Sequence, residues 1–312
     1  MYRRQRKIYG SYGSGSKLSF GFKMLLVGVA LVAAISAFIT GAVLSKTASK
    51  SAFESFGRHN LADFGGVKQP AEDYTALRNV KAGYANAVGA DKQSFKKELA
   101  ALPDGNAVVF KANDRDGNIF FDTALKSKIG ISGNVMSYVT AEDIVNSANA
   151  HEKISIAHFY STALSQPEDS LRAVKSAEEL ALISELCDAG LYEIAIFDLP
   201  DDSDLIPFVT AYLAWIEAES KRTNICVVLS KTNVESAGAT RIINATEGYA
   251  DAYAIDMSEV SNKNLGDMIE KCAYFITNYN ARIIVSAATD EIREEAVAIL
   301  KSYGIDSYEF VK

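Results

Sequence analysis

Three aspartates in this chain stand where an apolar run gives way to a polar loop. Asp114 follows Ala107–Lys111, Asp198 closes Tyr192–Asp198, and Asp256 closes Ala252–Asp256. Hydrolysis of a glycosidic bond needs two carboxyl groups across it, about 5 Å apart for retention and about 6.5–9.5 Å for inversion. Asp198 and Asp256 end the fourth and sixth candidate strands. Strands two apart in a sheet lie roughly 10 Å from each other, so these carboxylates can converge, with Asp114 as a third candidate. Tyr84, Asn86, Lys111, Asn113, His158 and Tyr160 cluster at the ends of the first three candidate strands. They are candidate substrate-binding residues, because ring faces and hydrogen-bonding groups together suit a sugar. Each aspartate also suits a structural post, since Asp is favoured at helix caps and near helix N-termini.

Metal and cofactor chemistry finds no pattern. Cys187, Cys226 and Cys272, with His59, His151 and His158, show no metal-ligand or redox spacing. The three cysteines are expected to be buried thiols. Gly13-Ser-Gly15 opens no strand–helix unit, so it is not a phosphate loop.

The elements that must position the candidate residues follow from periodicity. Short runs rich in Val, Ile, Tyr and Phe fall at Val80–Ala85, Ala107–Lys111, Ile154–Phe159, Tyr192–Asp198, Ile225–Ser230, Ala252–Asp256, Arg282–Ser286 and Ser307–Val311. Helical patterns separate them at Asp91–Ala101, Ala141–Ala150, Leu171–Ala189, Leu205–Lys221, Val234–Glu247, Leu265–Asn278 and Glu291–Tyr303. In the third of these helices Leu171, Val174, Leu182, Ile183 and Leu186 form the expected buried stripe, with Arg172 and Glu179 off it. Gly190 and Gly304 suit left-handed C-caps, and Asp290 suits an N-cap. Strand–helix alternation implies a parallel sheet under helices. Roughly eight units predict an α/β fold, a (β/α)8 TIM-like barrel with its site at the strand C-termini. A doubly wound open sheet is the runner-up, but it lacks a Gly-rich first turn. Asp114-Arg-Asp-Gly117 reads as a hairpin turn within the second βα loop.

Charge and hydropathy predict where this barrel resides. Met24–Ser45 holds no charged residue and no proline, and its length suits a bilayer core of about 30 Å. A cleaved signal would have a shorter apolar stretch. Arg3, Arg4, Arg6, Lys7, Lys17 and Lys23 precede it with no acid among them, which keeps that end in the cytoplasm. The expected organisation is a basic cytoplasmic tail (1–23), a single transmembrane anchor (24–45), a stalk (46–76) and an extracytoplasmic barrel (77–312). Of 32 Lys and Arg, six precede the span, leaving 26 against 39 Asp and Glu, a balance of −13. That part has no basic cluster, so no nucleic-acid partner is expected.

A resemblance enters on Leu77–Phe121, LRNVKAGYANAVGADKQSFKKELAALPDGNAVVFKANDRDGNIFF. This stretch resembles the opening of a bacterial family of glycoside-hydrolase-like (β/α)8 barrels, which are surface or secreted proteins. Members run from a first strand and helix into Leu-Asn-Ala-Val-Val-Ile-Asp-Val-Lys-Asp-x-x-Gly and a hairpin. Asn106–Phe110 and Asp114–Gly117 match that segment, and Gly190–Ile194 is similar to the family's Gly-Phe-Asp-Glu-Ile. Asp251–Met257 loosely resembles its Asp-…-Pro-Met segment, without the Pro. The resemblance implies a barrel facing carbohydrate, with acids at the strand ends. Those acids are eroded here. The family's Asp and Lys fall on Lys111 and Asn113, its Phe-Lys-Asp on Phe159-Tyr160-Ser161, and its fourth-strand Asp on Phe197. Asp198 comes one residue late, which changes the face it occupies. Lys111 is expected to attract Asp114 and hold it ionised, the wrong direction for a general acid. Phe197 is expected to offer a ring for stacking on a sugar.

Two functions follow as expectations. One is a membrane-anchored surface protein that binds cell-envelope carbohydrate or a surface partner, with the family's catalytic residues largely lost. The alternative is an active glycosidase using Asp114, Asp198 or Asp256.

Overall fold

A computed structural model describes residues 79–311 apart from 103–104, 128–133, 221–222 and 287–288. The expected tail (1–23), anchor (24–45) and stalk (46–76) lie outside the described residues. Among the described residues no helix is long and apolar enough to cross a membrane.

The strands are β1 (Lys81–Ala85), β2 (Ala107–Lys111), β3 (Ile154–Tyr160), β4 (Glu193–Phe197), β5 (Asn224–Ser230), β6 (Ala252–Asp256), β7 (Arg282–Ser286) and β8 (Tyr308–Val311). Each pairs in parallel with its neighbours in chain order, and β8 pairs with β1 to close the barrel. The helices are α1 (Lys92–Ala100), α2 (Ala141–Ala150), α3 (Asp169–Asp188), α4 (Ile206–Glu219), α5 (Lys231–Glu235), α6 (Gly238–Thr246), α7 (Asn262–Tyr279) and α8 (Asp290–Ser302). The expected closed barrel is therefore present, and the open sheet is excluded by the β1–β8 ladder.

Burial on both strand faces explains why the strands read as continuous apolar runs rather than alternating ones. Outward positions such as Val108, Phe110, Phe159, Ile196, Val227 and Ile255 pack under the helices. Inward positions form a second cluster, including Ala82, Val109, Ile156, Ala195, Phe197, Cys226, Ala254 and Ile284. Burying a large apolar side chain stabilises by about 1.5–3 kcal/mol. The small inward residues leave room for Arg282, the largest fully buried side chain among the described residues.

Local chemistry sets the helix boundaries. Asp91, Thr140 and Thr289 accept hydrogen bonds from the backbone N–H three residues on, and Ser230 forms a reciprocal capping box with Asn233. Thr289, rather than the expected Asp290, caps α8, because its extended backbone aims the hydroxyl at Ile292 N. Asp290 instead opens the first turn, where the helix dipole favours it. Gly190 and Gly304 take φ of +86° and +70°, as their C-cap positions require.

Three further expectations are corrected. The single helix Val234–Glu247 is two, broken at Ser236, whose backbone is extended. The break brings Gly238 so close to the β4–α4 loop that a Cβ there would stand 1.8 Å from Asp201 Oδ2. In α3 the first three turns depart from the expected stripe. Leu171 and Val174 are exposed, whereas Arg172 and Glu179 are buried. Arg172 lies 4.7 Å over the Phe208 ring and donates to Gln166 O. Glu179 accepts from Thr162 N, Ala163 N, the Thr162 hydroxyl and the Tyr212 hydroxyl, which holds the β3–α3 loop. Among the cysteines, Cys226 and Cys272 are buried as expected, but Cys187 is half-buried.

Candidate functional site

The second βα loop folds back on the barrel mouth. Gly117 N donates to Asp114 O, Asp114 N donates to Asn118 O, and Asn113 bridges Ile119 in antiparallel sense, the expected hairpin. Gly117 supplies the turn's φ of +80°. Phe120 N then donates to Ala112 O, which returns the Phe120 ring above Lys111. The ammonium of Lys111 lies 5.6 Å from the Phe120 centroid and 5.1 Å from that of Tyr160, a cation–π arrangement.

Asn113 is buried and clamps the end of β3. Its amide donates to Tyr160 O at 2.8 Å and accepts from Tyr160 N at 2.7 Å. Arg115 leaves the hairpin, passes 5.5 Å from the Tyr160 centroid and binds Asp198 with two hydrogen bonds of 2.6 and 2.9 Å. Among the described residues Asp198 is one of three non-glycine residues with positive φ, +59°. Strand period would put Asp198 on the outward row, next to inward-facing Phe197; the left-handed turn, tolerated by Asp, instead brings its carboxylate to Arg115. The hydrogen bonds to Asp198 raise the Arg115 pKa further above its ordinary value.

Beneath the mouth runs a buried chain of charge. His158 Nε2 meets Glu309 Oε2 at 2.6 Å. Glu309 pairs with Arg282 Nε, and Arg282 pairs with Glu193, its Nη1 standing 2.9 Å from Oε2. The four residues come from β3, β8, β7 and β4, so they tie the barrel across its axis. Two carboxylates thus share one guanidinium and one imidazole. Burial is the largest influence on both carboxyls and favours their protonation. At Glu193 it prevails over Arg282 and raises the pKa, whereas at Glu309 Arg282 and His158 together outweigh it and lower the pKa. Glu309, although near the end of β8, is fully buried in this interior.

Above the chain opens a cavity of about 200 Å³. Tyr84, Lys111, His158 and Tyr160 line it together with Ser258, Ser286 and Val311. Burial raises the pKa of both Tyr84 and Tyr160, with Glu98 adding to the first and Asp256 to the second. Both phenols are therefore neutral donors at physiological pH. Of the expected site residues, Tyr84, Lys111, His158 and Tyr160 converge here. A larger groove of about 640 Å³ lies between α2 and the end of α3, away from the strand ends.

The other expected residues lie outside the lining of this cavity. Asn86 accepts from Val88 N and sits exposed. Asn113 holds Tyr160, as described. Phe197 faces inward but is 3 % exposed. Its ring is stacked 4.7 Å from Tyr160 and lies 4.7 Å from His158, so no face is left for a sugar. Asp114 accepts from Asp116 N, Asn118 N and the Asn118 amide inside its own turn. The expected Lys111–Asp114 pair is absent among the described ion pairs, because the turn holds Asp114 and two rings hold the ammonium. Asp256 accepts from Ser258 N and stands near Tyr160. Ser258 was not legible as a site residue, since only the loop after β6 carries it to the mouth.

No family model matches the chain, and no curated protein matches it. Solved structures do. A proposed alpha-L-fucosidase from Bacteroides thetaiotaomicron VPI-5482 superposes with a TM-score of 0.55 at 10% identity, over 76% of this chain and 88% of that one. The likeness is one of fold. D-psicose 3-epimerase from Clostridium cellulolyticum H10 gives 0.46 at 12% identity, over 74% and 83% of the two chains. A sialic acid aldolase from Ruminococcus gnavus gives 0.42 at 13% identity, over 75% and 67%.

Proposed function

We propose that this chain is a membrane-anchored, extracytoplasmic (β/α)8 protein that binds one sugar unit of envelope carbohydrate at the barrel mouth without cleaving it. The observation that carries the reading is the state of the aspartates around the cavity. Asp198 is engaged on both oxygens by Arg115, and Asp114 is consumed by its own turn. Hydrolysis needs two carboxyl groups free to act across one bond, and of the three aspartates only Asp256 is engaged neither by a cation nor by a turn of three hydrogen bonds among the described residues. The lining itself suits recognition. It offers two phenols, two serine hydroxyls, an imidazole and an ammonium on apolar ring walls. A cavity of about 200 Å³ is smaller than the roughly 300–1,000 Å³ of sites for drug-sized ligands, so one ring fills it.

The anchor rests on Met24–Ser45 and its basic flank. The envelope assignment rests on that placement together with the resemblance of Leu77–Phe121 to glycoside-hydrolase-like surface proteins. Retention of the purified full-length chain on peptidoglycan and on an oligosaccharide panel tests the reading. Binding that Tyr84→Ala and Tyr160→Ala abolish supports it. Binding unaffected by both variants, or none to any glycan, overturns it.

A further inference from the structure

The mouth holds a cation that the fold does not neutralise. Among the described residues, Arg115, Arg172, Arg241, Arg282 and Arg293 each meet a carboxylate within ion-pair distance. Lys111 meets none, although it is half-buried and lines the cavity. Its neighbours are the Phe120 and Tyr160 rings. These hold the ammonium in place through their faces but offer its N–H groups no strong acceptor. The nearby carboxylates are already committed. Arg115 engages Asp198, the hairpin engages Asp114, and Arg282 with His158 engages Glu309 below the floor. Asp256 stands beside Tyr160, outside the cavity lining.

The ring faces offset only part of the desolvation of a half-buried ammonium. A ligand carboxylate would recover the rest through charge-assisted hydrogen bonds. The other polar groups of the lining are compatible, because Tyr84, Tyr160, Ser258 and Ser286 carry hydroxyls that donate to a carboxylate or exchange hydrogen bonds with a sugar's own hydroxyls. Resting on the sugar-binding reading above, we propose that the preferred ligand is an acidic monosaccharide unit, a ring bearing a carboxylate, with that carboxylate on Lys111 Nζ.

The test pairs ligands that differ in the carboxylate alone. Glucuronate against glucose, and galacturonate against galactose, are titrated calorimetrically into the full-length chain in detergent at low salt. At least one acid binds ten-fold or more tighter than its neutral partner, and raising the salt narrows the gap, since added ions screen the pair. Lys111→Met brings the acid to the neutral sugar's affinity. Lys111→Arg, which keeps the charge, preserves the preference and shows that the pocket tolerates substitution at this position. Neutral sugars that bind as tightly as their acids overturn this inference and leave the sugar-binding reading standing. If neither class binds, both fall.

Discussion

At the scale of single residues, one guanidinium decides how the mouth reads. Arg115 fixes Asp198, yet the pair is largely exposed, with the Arg side chain at 61 %. Exposed pairs contribute about 0–1 kcal/mol. Arg115→Gln is therefore expected to shift urea-unfolding stability by under ~1 kcal/mol, and a larger loss would mean that the hairpin depends on the pair. Residues of the candidate cavity were legible in the sequence where they end strands on the inward row. Tyr84, Lys111, His158 and Tyr160 could be placed from strand period alone. Asp198 and Phe197 could not. A single left-handed residue turns the first toward Arg115, and ring stacking buries the second. Neither a left-handed backbone at Asp nor a ring-on-ring contact leaves a mark on hydropathy.

At the scale of elements, every strand and nearly every helix was legible, because period and burial coincide in them. The first turns of α3 were not, because a buried carboxylate replaces the apolar residue that the pattern requires. Glu179 supplies acceptors to two backbone N–H groups of the β3–α3 loop. Glu179→Leu orphans both, at about 1–3 kcal/mol each. Glu179→Gln keeps the oxygen that accepts them and is expected to cost far less. Unfolding in urea separates the two variants, and equal losses would contradict the role. Burial is the largest influence on this carboxyl and raises its pKa, with the Tyr212, Thr162 and Ala163 hydrogen bonds opposing it. The folded state thus holds the proton more tightly than the unfolded one. That contribution is full below the ordinary value of 4.5 and is lost as pH rises through the raised value. The stability of the unsubstituted chain should fall relative to Glu179→Gln over that rise, and a flat difference would contradict it.

At the scale of the whole molecule, the barrel is joined across its axis by Glu193, Arg282, Glu309 and His158. Removing the one guanidinium leaves two buried carboxylates facing each other. Arg282→Met is expected to cost about 3–5 kcal/mol of unfolding free energy, and a loss under ~1 kcal/mol would show that the network is not structural. Placement is a separate prediction. Protease added to intact cells should digest the region after Lys46 and spare the tail before Lys23, whereas protection of residues 79–311 would reverse the proposed topology. The central claim, binding without cleavage, is tested most directly by reducing-end release. The full-length chain is incubated with peptidoglycan and the oligosaccharides it retains, and new reducing ends are followed over time. The account predicts no release above that of an Asp198→Asn, Asp256→Asn double variant. Turnover by the unsubstituted chain that either single substitution abolishes, with retention unchanged, would contradict it and make the protein a glycosidase.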